Sequence, residues 1–127
     1  MKPGLDAQRK PRADQVVAKA LVRAAQRLEL SQSEVAEVLG TSTASVSRTF
    51  AGERPIAADS AEGRHALLLV RVFRSLDTLV GGDEEKARRW LGAPNAHLGG
   101  QAPRALLAST PGLVRVAEYL DAMRGTL

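Results

Sequence analysis

The 127-residue chain contains no cysteine. Disulfides and thiolate metal sites are therefore excluded, and a reducing compartment suits it without strain. Aromatic side chains are scarce at 3%, with one Trp, one Tyr and two Phe, so an interior has to be built from Leu, Val and Ala. That palette packs as close helices more readily than as sheets, and no alternating stretch is long enough to argue for a strand. There is no apolar run of about twenty residues and no signal-peptide pattern, so a soluble, unexported, cytoplasmic protein with no membrane partner is expected. With only two histidines the chain offers little for metal or acid–base chemistry. His97 has no His, Cys or carboxylate at ligand spacing, and Gly99-Gly100 neither follows a strand nor precedes a Walker lysine. Glu118 and Asp121 read as the solvated face of a helix, and no nucleophile–base pair is found. The expectation is a protein without catalytic residues, metal or cofactor, and not an enzyme.

What is present is apolar content of 44%, enough for one all-α domain or for two small lobes sharing a core. Net charge is +4, and it is placed unevenly. Lys2, Arg9, Lys10, Arg12, Lys19, Arg23 and Arg27 stand near the start against only Asp6 and Asp14. A basic front end suits an anionic partner, most simply nucleic acid, or else a solubilising tail. Residues 1–13, with two prolines and few apolar anchors, read as a flexible basic arm. From Asp14 a helix is predicted, with Val17, Leu21, Ala24 and Leu28 on one stripe and Lys19, Arg23 and Arg27 on another face.

The stretch "LSQSEVAEVLGTSTASVSRTFAGERP" has the layout of a helix-turn-helix. Ser31 and Glu34 form a capping box, Val35, Ala36 and Leu39 supply a buried face, and Gly40 can end the helix in a left-handed turn. Ser42 or Thr43 can cap the second helix, with Val46 between the two and Pro55 closing the unit. Thr43, Ala44, Ser45 and Arg48 then face outward, with side chains able to read base edges in a major groove. Gln32 and Ser33 can hold a phosphate at a helix N-terminus, and Arg54 and the arm would add backbone contacts. An ordinary helical hairpin with a solvated polar face is the competing reading. This stretch resembles the Xre family of phage-repressor-like helix-turn-helix proteins over roughly residues 14–56, with Gln32, Ala36, Gly40, Ser42, Val46, Ser47 and Gly52 at the positions of its pattern. Ser42 and Ser47 join the candidate DNA-binding set on that ground.

Beyond "AADS" a long helix is predicted over 61–80, its stripe of Leu69, Val72, Phe73, Leu76, Leu79 and Val80 wide enough to meet both the following lobe and a second subunit. A short helix leads to Trp90, another lies near Pro103, and a last one starts at Thr110 with Pro111 in its first turn. Between them runs "WLGAPNAHLGGQAPRALLAS", too broken to be one element and too apolar to be a linker. Its Trp90-Leu91, Pro94-Asn95, Leu98-Gly99-Gly100, Pro103 and Leu106-Leu107, followed by Gly112, Val116 and Leu120, resemble the toxin-binding domain of the ParS/MbcA/Xre antitoxins, over roughly residues 60–127.

The resemblance implies an antitoxin of a type II toxin-antitoxin system, in bacterial cytoplasm. Its partner would be a RES-domain toxin that consumes NAD, inhibited by covering its active site, and operator DNA of its own operon, repressed by a homodimer. A higher hetero-oligomer with the toxin is implied too. Residues 95–104 and the tail 119–127 would face the toxin, giving Asn95, Leu98, Gly99, Gly100, Arg104 and Arg124 as the toxin-binding candidates. One departure is that "MRGTL" follows the last helix where relatives often carry a longer or aromatic-rich tail. The expected division is a basic arm 1–13, a DNA-binding lobe 14–59 and a toxin-binding lobe 60–127. A free-standing repressor whose C-terminal lobe only dimerises, and an interaction module with a degenerate DNA lobe, are the alternatives.

Overall fold

A computed structural model describes the backbone of residues 4–125 and the side chains from residue 12 onward. The described residues form α-helices α1 (Gly4–Arg27), α2 (Gln32–Leu39), α3 (Thr43–Phe50), α4 (Ala61–Leu79), α5 (Glu84–Gly92), α6 (Pro103–Leu106) and α7 (Thr110–Gly125), with a 3₁₀ turn at Ala96–Leu98. Among them there is no strand, only an isolated bridge between Asn95 and Gln101. None of the described helices is long and apolar enough to cross a membrane.

α1 begins ten residues earlier than the Asp14 start expected from sequence, so residues 4–13 of the presumed arm are helical; residues 1–3 lie outside the described residues. The segment is rich in good helix formers, which extend a helix whose later turns are packed. Pro11 is accommodated at the cost of one backbone hydrogen bond, since it carries no N–H. Asp14 has another role. Its carbonyl accepts from Ile56 N at 3.3 Å and its carboxylate from Ala58 N at 3.0 Å, which ties the "AADS" seam to α1.

Short polar residues start α2, α3, α4 and α5. Ser31, Ser42, Ser60 and Asp83 each accept a hydrogen bond from the backbone three residues on. α7 is capped by Ser109, whose hydroxyl accepts from Gly112 N at 3.1 Å, rather than by Thr110, whose hydroxyl pairs with His65 Nε2 at 3.0 Å. Gly63 and Gly112 allow close approach of backbone: a Cβ would stand 2.1 Å from the Ala57 carbonyl oxygen at the first and 2.0 Å from that of Leu106 at the second.

One hydrophobic core runs the length of the molecule, from Leu21 and Leu28 on α1 through Val35 and Val46 to Leu69, Val72 and Leu76 on α4 and Leu113, Val116 and Leu120 on α7. α4 is its spine, packing on α7 along one side and on α1 and α2 along the other. Helices as short as α2 and α3 are marginal by themselves, so the motif stands because α1 and α4 frame it. Leu69 and Val72 are 0% exposed and Leu76 1% within a single chain, so this part of the α4 stripe is filled, while its Phe73, Leu79 and Val80 are only partly buried.

Candidate functional site

The helix-turn-helix is built as its sequence suggests. Ser31 Oγ accepts from Glu34 N at 3.0 Å while Glu34 Oε1 accepts from Ser31 N at 2.9 Å, closing the capping box. Gly40, at φ 69°, ends α2 with its N–H and that of Thr41 returned to carbonyls of the last turn. Val46 is sealed between α2 and α3, and Ala36, 5% exposed, lets them approach. Thr43, Ala44, Ser47 and Arg48 consequently line the open side of α3, with Gln32 and Ser33 exposed at the start of α2. Ser42 and Ser45 are partly engaged with one another: Ser42 Oγ accepts from Ser45 N at 3.1 Å and lies 3.0 Å from Ser45 Oγ. Arg48 leans on the same hydroxyl at 3.4 Å, a weak hydrogen bond that leaves the guanidinium in solvent. Arg54 stands apart from the other candidates. It donates to Glu62 through two hydrogen bonds of 2.7 and 2.9 Å and to Thr49 Oγ1 at 3.2 Å, so its charge is already satisfied across the α3–α4 seam.

In the second segment Asn95 is the hub. Its carbonyl accepts from Leu98 N at 3.0 Å and Gly100 N at 2.9 Å, its N–H donates to Gln101 O at 3.0 Å, and its side-chain oxygen accepts from His97 N at 2.9 Å. The loop closes on Gly99 and Gly100, at φ 73° and 78°, a left-handed pair that suits residues without a Cβ. Leu98 is 2% exposed and anchors the loop in the core, so it is a support and not a contact surface. Gly99 and Gly100 are exposed, with nothing within 4 Å of where a Cβ would sit. Arg124 lies 3.8 Å from Asp121 at the end of α7. Thr126 and Leu127, the last of the presumed toxin-facing tail, lie outside the described residues. Arg104 is engaged within the chain. Its Nε donates to Glu34 Oε2 at 2.6 Å, and its Nη2 to Glu34 Oε1 at 2.5 Å and to the Glu29 carbonyl at 2.8 Å.

Two family models match the chain. Residues 7–71 match the antitoxin Xre-like helix-turn-helix domain, and residues 75–125 the antitoxin Xre/MbcA/ParS C-terminal toxin-binding domain. The chain belongs to the Xre/MbcA/ParS antitoxins. No curated protein matches it. As an antitoxin it joins a DNA-binding helix-turn-helix to a toxin-binding half. The two spans meet inside α4, the helix that packs on both.

The antitoxin's halves are also tied by charge. Arg104 on α6 grips the capping-box carboxylate of α2, and its hydrogen bonds are the main reason that the Glu34 carboxyl falls from 4.5 to about 2. The Glu29 carbonyl that it also holds belongs to a residue at φ 53°, a left-handed position usually given to glycine. Leu30 N returns to Ala25 O at 2.9 Å and Glu29 N to Gln26 O at 3.1 Å, a Schellman turn ending α1. Arg88 reaches Glu29 at 3.4 Å and Arg27 reaches Glu84 at 3.1 Å at the same corner. On the far side, Asp121 accepts from Arg71 and Ser75, and the Arg71 guanidinium lowers its carboxyl below the usual range. Among the described residues no three His, Cys, Asp or Glu side chains gather in a way that could hold a metal.

Proposed function

We propose that this antitoxin belongs to a type II toxin-antitoxin pair whose toxin is a RES-domain, NAD-consuming protein, and that it neutralises the toxin by covering the active site. The observation that carries this reading is the match of residues 75–125 to the toxin-binding domain, set beside a loop rigid enough to act as a plug. Asn95 fixes four backbone and side-chain hydrogen bonds of that loop, Leu98 pins it, and Gly99-Gly100 present bare backbone that another protein can approach closely. Loops ordered in advance lose little entropy on binding, which favours tight inhibition. Arg104, occupied by Glu34 and Glu29, is assigned to holding the loop's base rather than to the toxin.

The second activity is repression of its own operon by a homodimer. Thr43, Ala44, Ser47 and Arg48 would read the major groove, with Gln32 and Ser33 holding a phosphate at the start of α2. A single short recognition helix makes too few contacts for tight specific binding, whereas a two-fold pair reads a palindrome. Val16 at 64% and Leu67 at 46% exposed, together with the partly buried Phe73, Leu79 and Val80 of the α4 stripe, are large apolar side chains that can meet a second copy.

The test is made in cells. Expression of the RES protein of the same operon should deplete NAD and stop growth, and co-expression of the antitoxin should restore both. An Arg48→Ala chain should rescue growth equally well while a reporter on the operon's promoter is derepressed. Growth arrest with an undiminished NAD pool would remove the NAD-consuming toxin from the account. Loss of rescue with Arg48→Ala would show that the two activities share one surface.

A further inference from the structure

We infer that a stack of three rings, Trp90, Tyr119 and His97, is the centre of the surface by which this antitoxin grips its toxin. This rests on the reading of residues 75–125 as its toxin-binding half. Tyr119 lies in the middle, 6.3 Å from Trp90 at an interplanar angle of 12° and 5.9 Å from His97 at 26°. The rings come from α5, α7 and the 95–101 loop, so one stack joins the elements of that half.

The chain has one Trp and one Tyr, and both are in this stack. They are not needed as filling, because the core around them is made of Leu91, Leu98, Val116 and Leu120. Trp90 and Tyr119 pack against that core and are only partly buried, and His97 is exposed. Among the described residues neither the indole N–H nor the phenol hydroxyl has a hydrogen-bond partner, and neither is a buried unpaired group. A fully buried Trp or Tyr usually places that polar group on a neighbour. Here both groups are left to water or to a partner protein.

The stack is also held still before anything binds. His97 is fixed from both sides of its backbone: its N–H donates to Asn95 Oδ1 at 2.9 Å and its carbonyl accepts from Arg115 at 3.4 Å. Large, amphipathic, preorganised rings are the side chains that dominate binding energy at protein interfaces. The partner they fit is a protein segment that lays an apolar or planar side chain on the stack. That segment would also offer main-chain carbonyls or carboxylates to the indole, the phenol and Arg115.

The experiment uses the purified RES protein of the same operon and the full antitoxin, with binding measured by calorimetry. Tyr119→Ala should raise Kd by on the order of 30-fold or more. His97→Ala, at an exposed position that leaves the core intact, should raise it several-fold, and Glu53→Gln, exposed in the turn after α3, should leave it unchanged. Labelling the single Trp90 as 5-fluorotryptophan gives one fluorine resonance from the antitoxin, and it should move when toxin is added. Should His97→Ala bind as tightly as wild type and the fluorine resonance stay in place at saturation, the inference is wrong. If the wild-type protein binds no toxin at all, it is the toxin-binding reading beneath it that fails.

Discussion

Replacing Glu34 by glutamine removes the charge that Arg104 holds while leaving the capping box intact, since glutamine serves at that position too. The fall of the Glu34 carboxyl from 4.5 to about 2 sets a ceiling of about 3.4 kcal/mol, at roughly 1.4 kcal/mol per pH unit. The side chains of Arg104 and Glu34 are 33% and 35% exposed, so solvent screening brings the expected cost down to about 1–1.5 kcal/mol. Because the folded-state value lies below the unfolded one, the contribution is complete above about pH 5 and is lost as pH falls from there toward 2. Urea unfolding followed by circular dichroism at a series of pH values measures it. Wild type and Glu34→Gln should differ by about 1–1.5 kcal/mol at pH 7 with equal m-values, and the gap should close toward pH 2. Arg104→Met should cost more, because the left-handed Glu29 then loses the donor on its carbonyl. A gap that is absent at pH 7, or unchanged between pH 7 and pH 3, would refute the clamp.

Gly63→Ala and Gly112→Ala should each destabilise by about 1–3 kcal/mol, because the new Cβ meets backbone carbonyl oxygens at 2.1 and 2.0 Å; Gly92→Ala, with nothing within 4 Å, should be neutral or mildly stabilising in the same urea titrations. Leu98→Ala should cost about 2–5 kcal/mol as a core deletion, whereas Gly99→Ala should cost about 1 kcal/mol of backbone strain and weaken toxin binding beyond what that loss of stability explains. Arg48→Ala should abolish specific operator binding in a mobility-shift titration, while Arg54→Ala should act first on thermal stability, its guanidinium being held by Glu62.

Features set by residues close in sequence were legible before the fold was known. The capping box of Ser31 and Glu34, the left-handed Gly40 and the Ser42 cap of α3 all follow from neighbours within one turn. The helix-turn-helix and the 90–109 segment were legible for the same reason, with resemblance naming what the spacing outlined. What was not legible depends on partners far along the chain. Arg104 looked like a toxin contact because its partner Glu34 is 70 positions away. Arg54 looked like a phosphate contact because nothing in "AGERP" announces Glu62. The α4 stripe showed that one face is apolar but not which of its side chains α1, α2 and α7 would cover. Glu29 ends α1 in a left-handed turn without the glycine that would have signalled it, stabilised by an arginine from α6. The ring stack was hidden too, its members lying on three elements that only the packing of α4 and α7 brings together.

The central claim is that this chain inhibits an NAD-consuming toxin by binding over its active site, and a titration of purified RES protein tests it most directly. NAD turnover should fall linearly as the antitoxin is added and stop at a fixed stoichiometric ratio, with Gly99→Ala needing more protein to reach the same end point. NAD consumption that continues unchanged in a complex shown by light scattering to be fully formed would contradict the account.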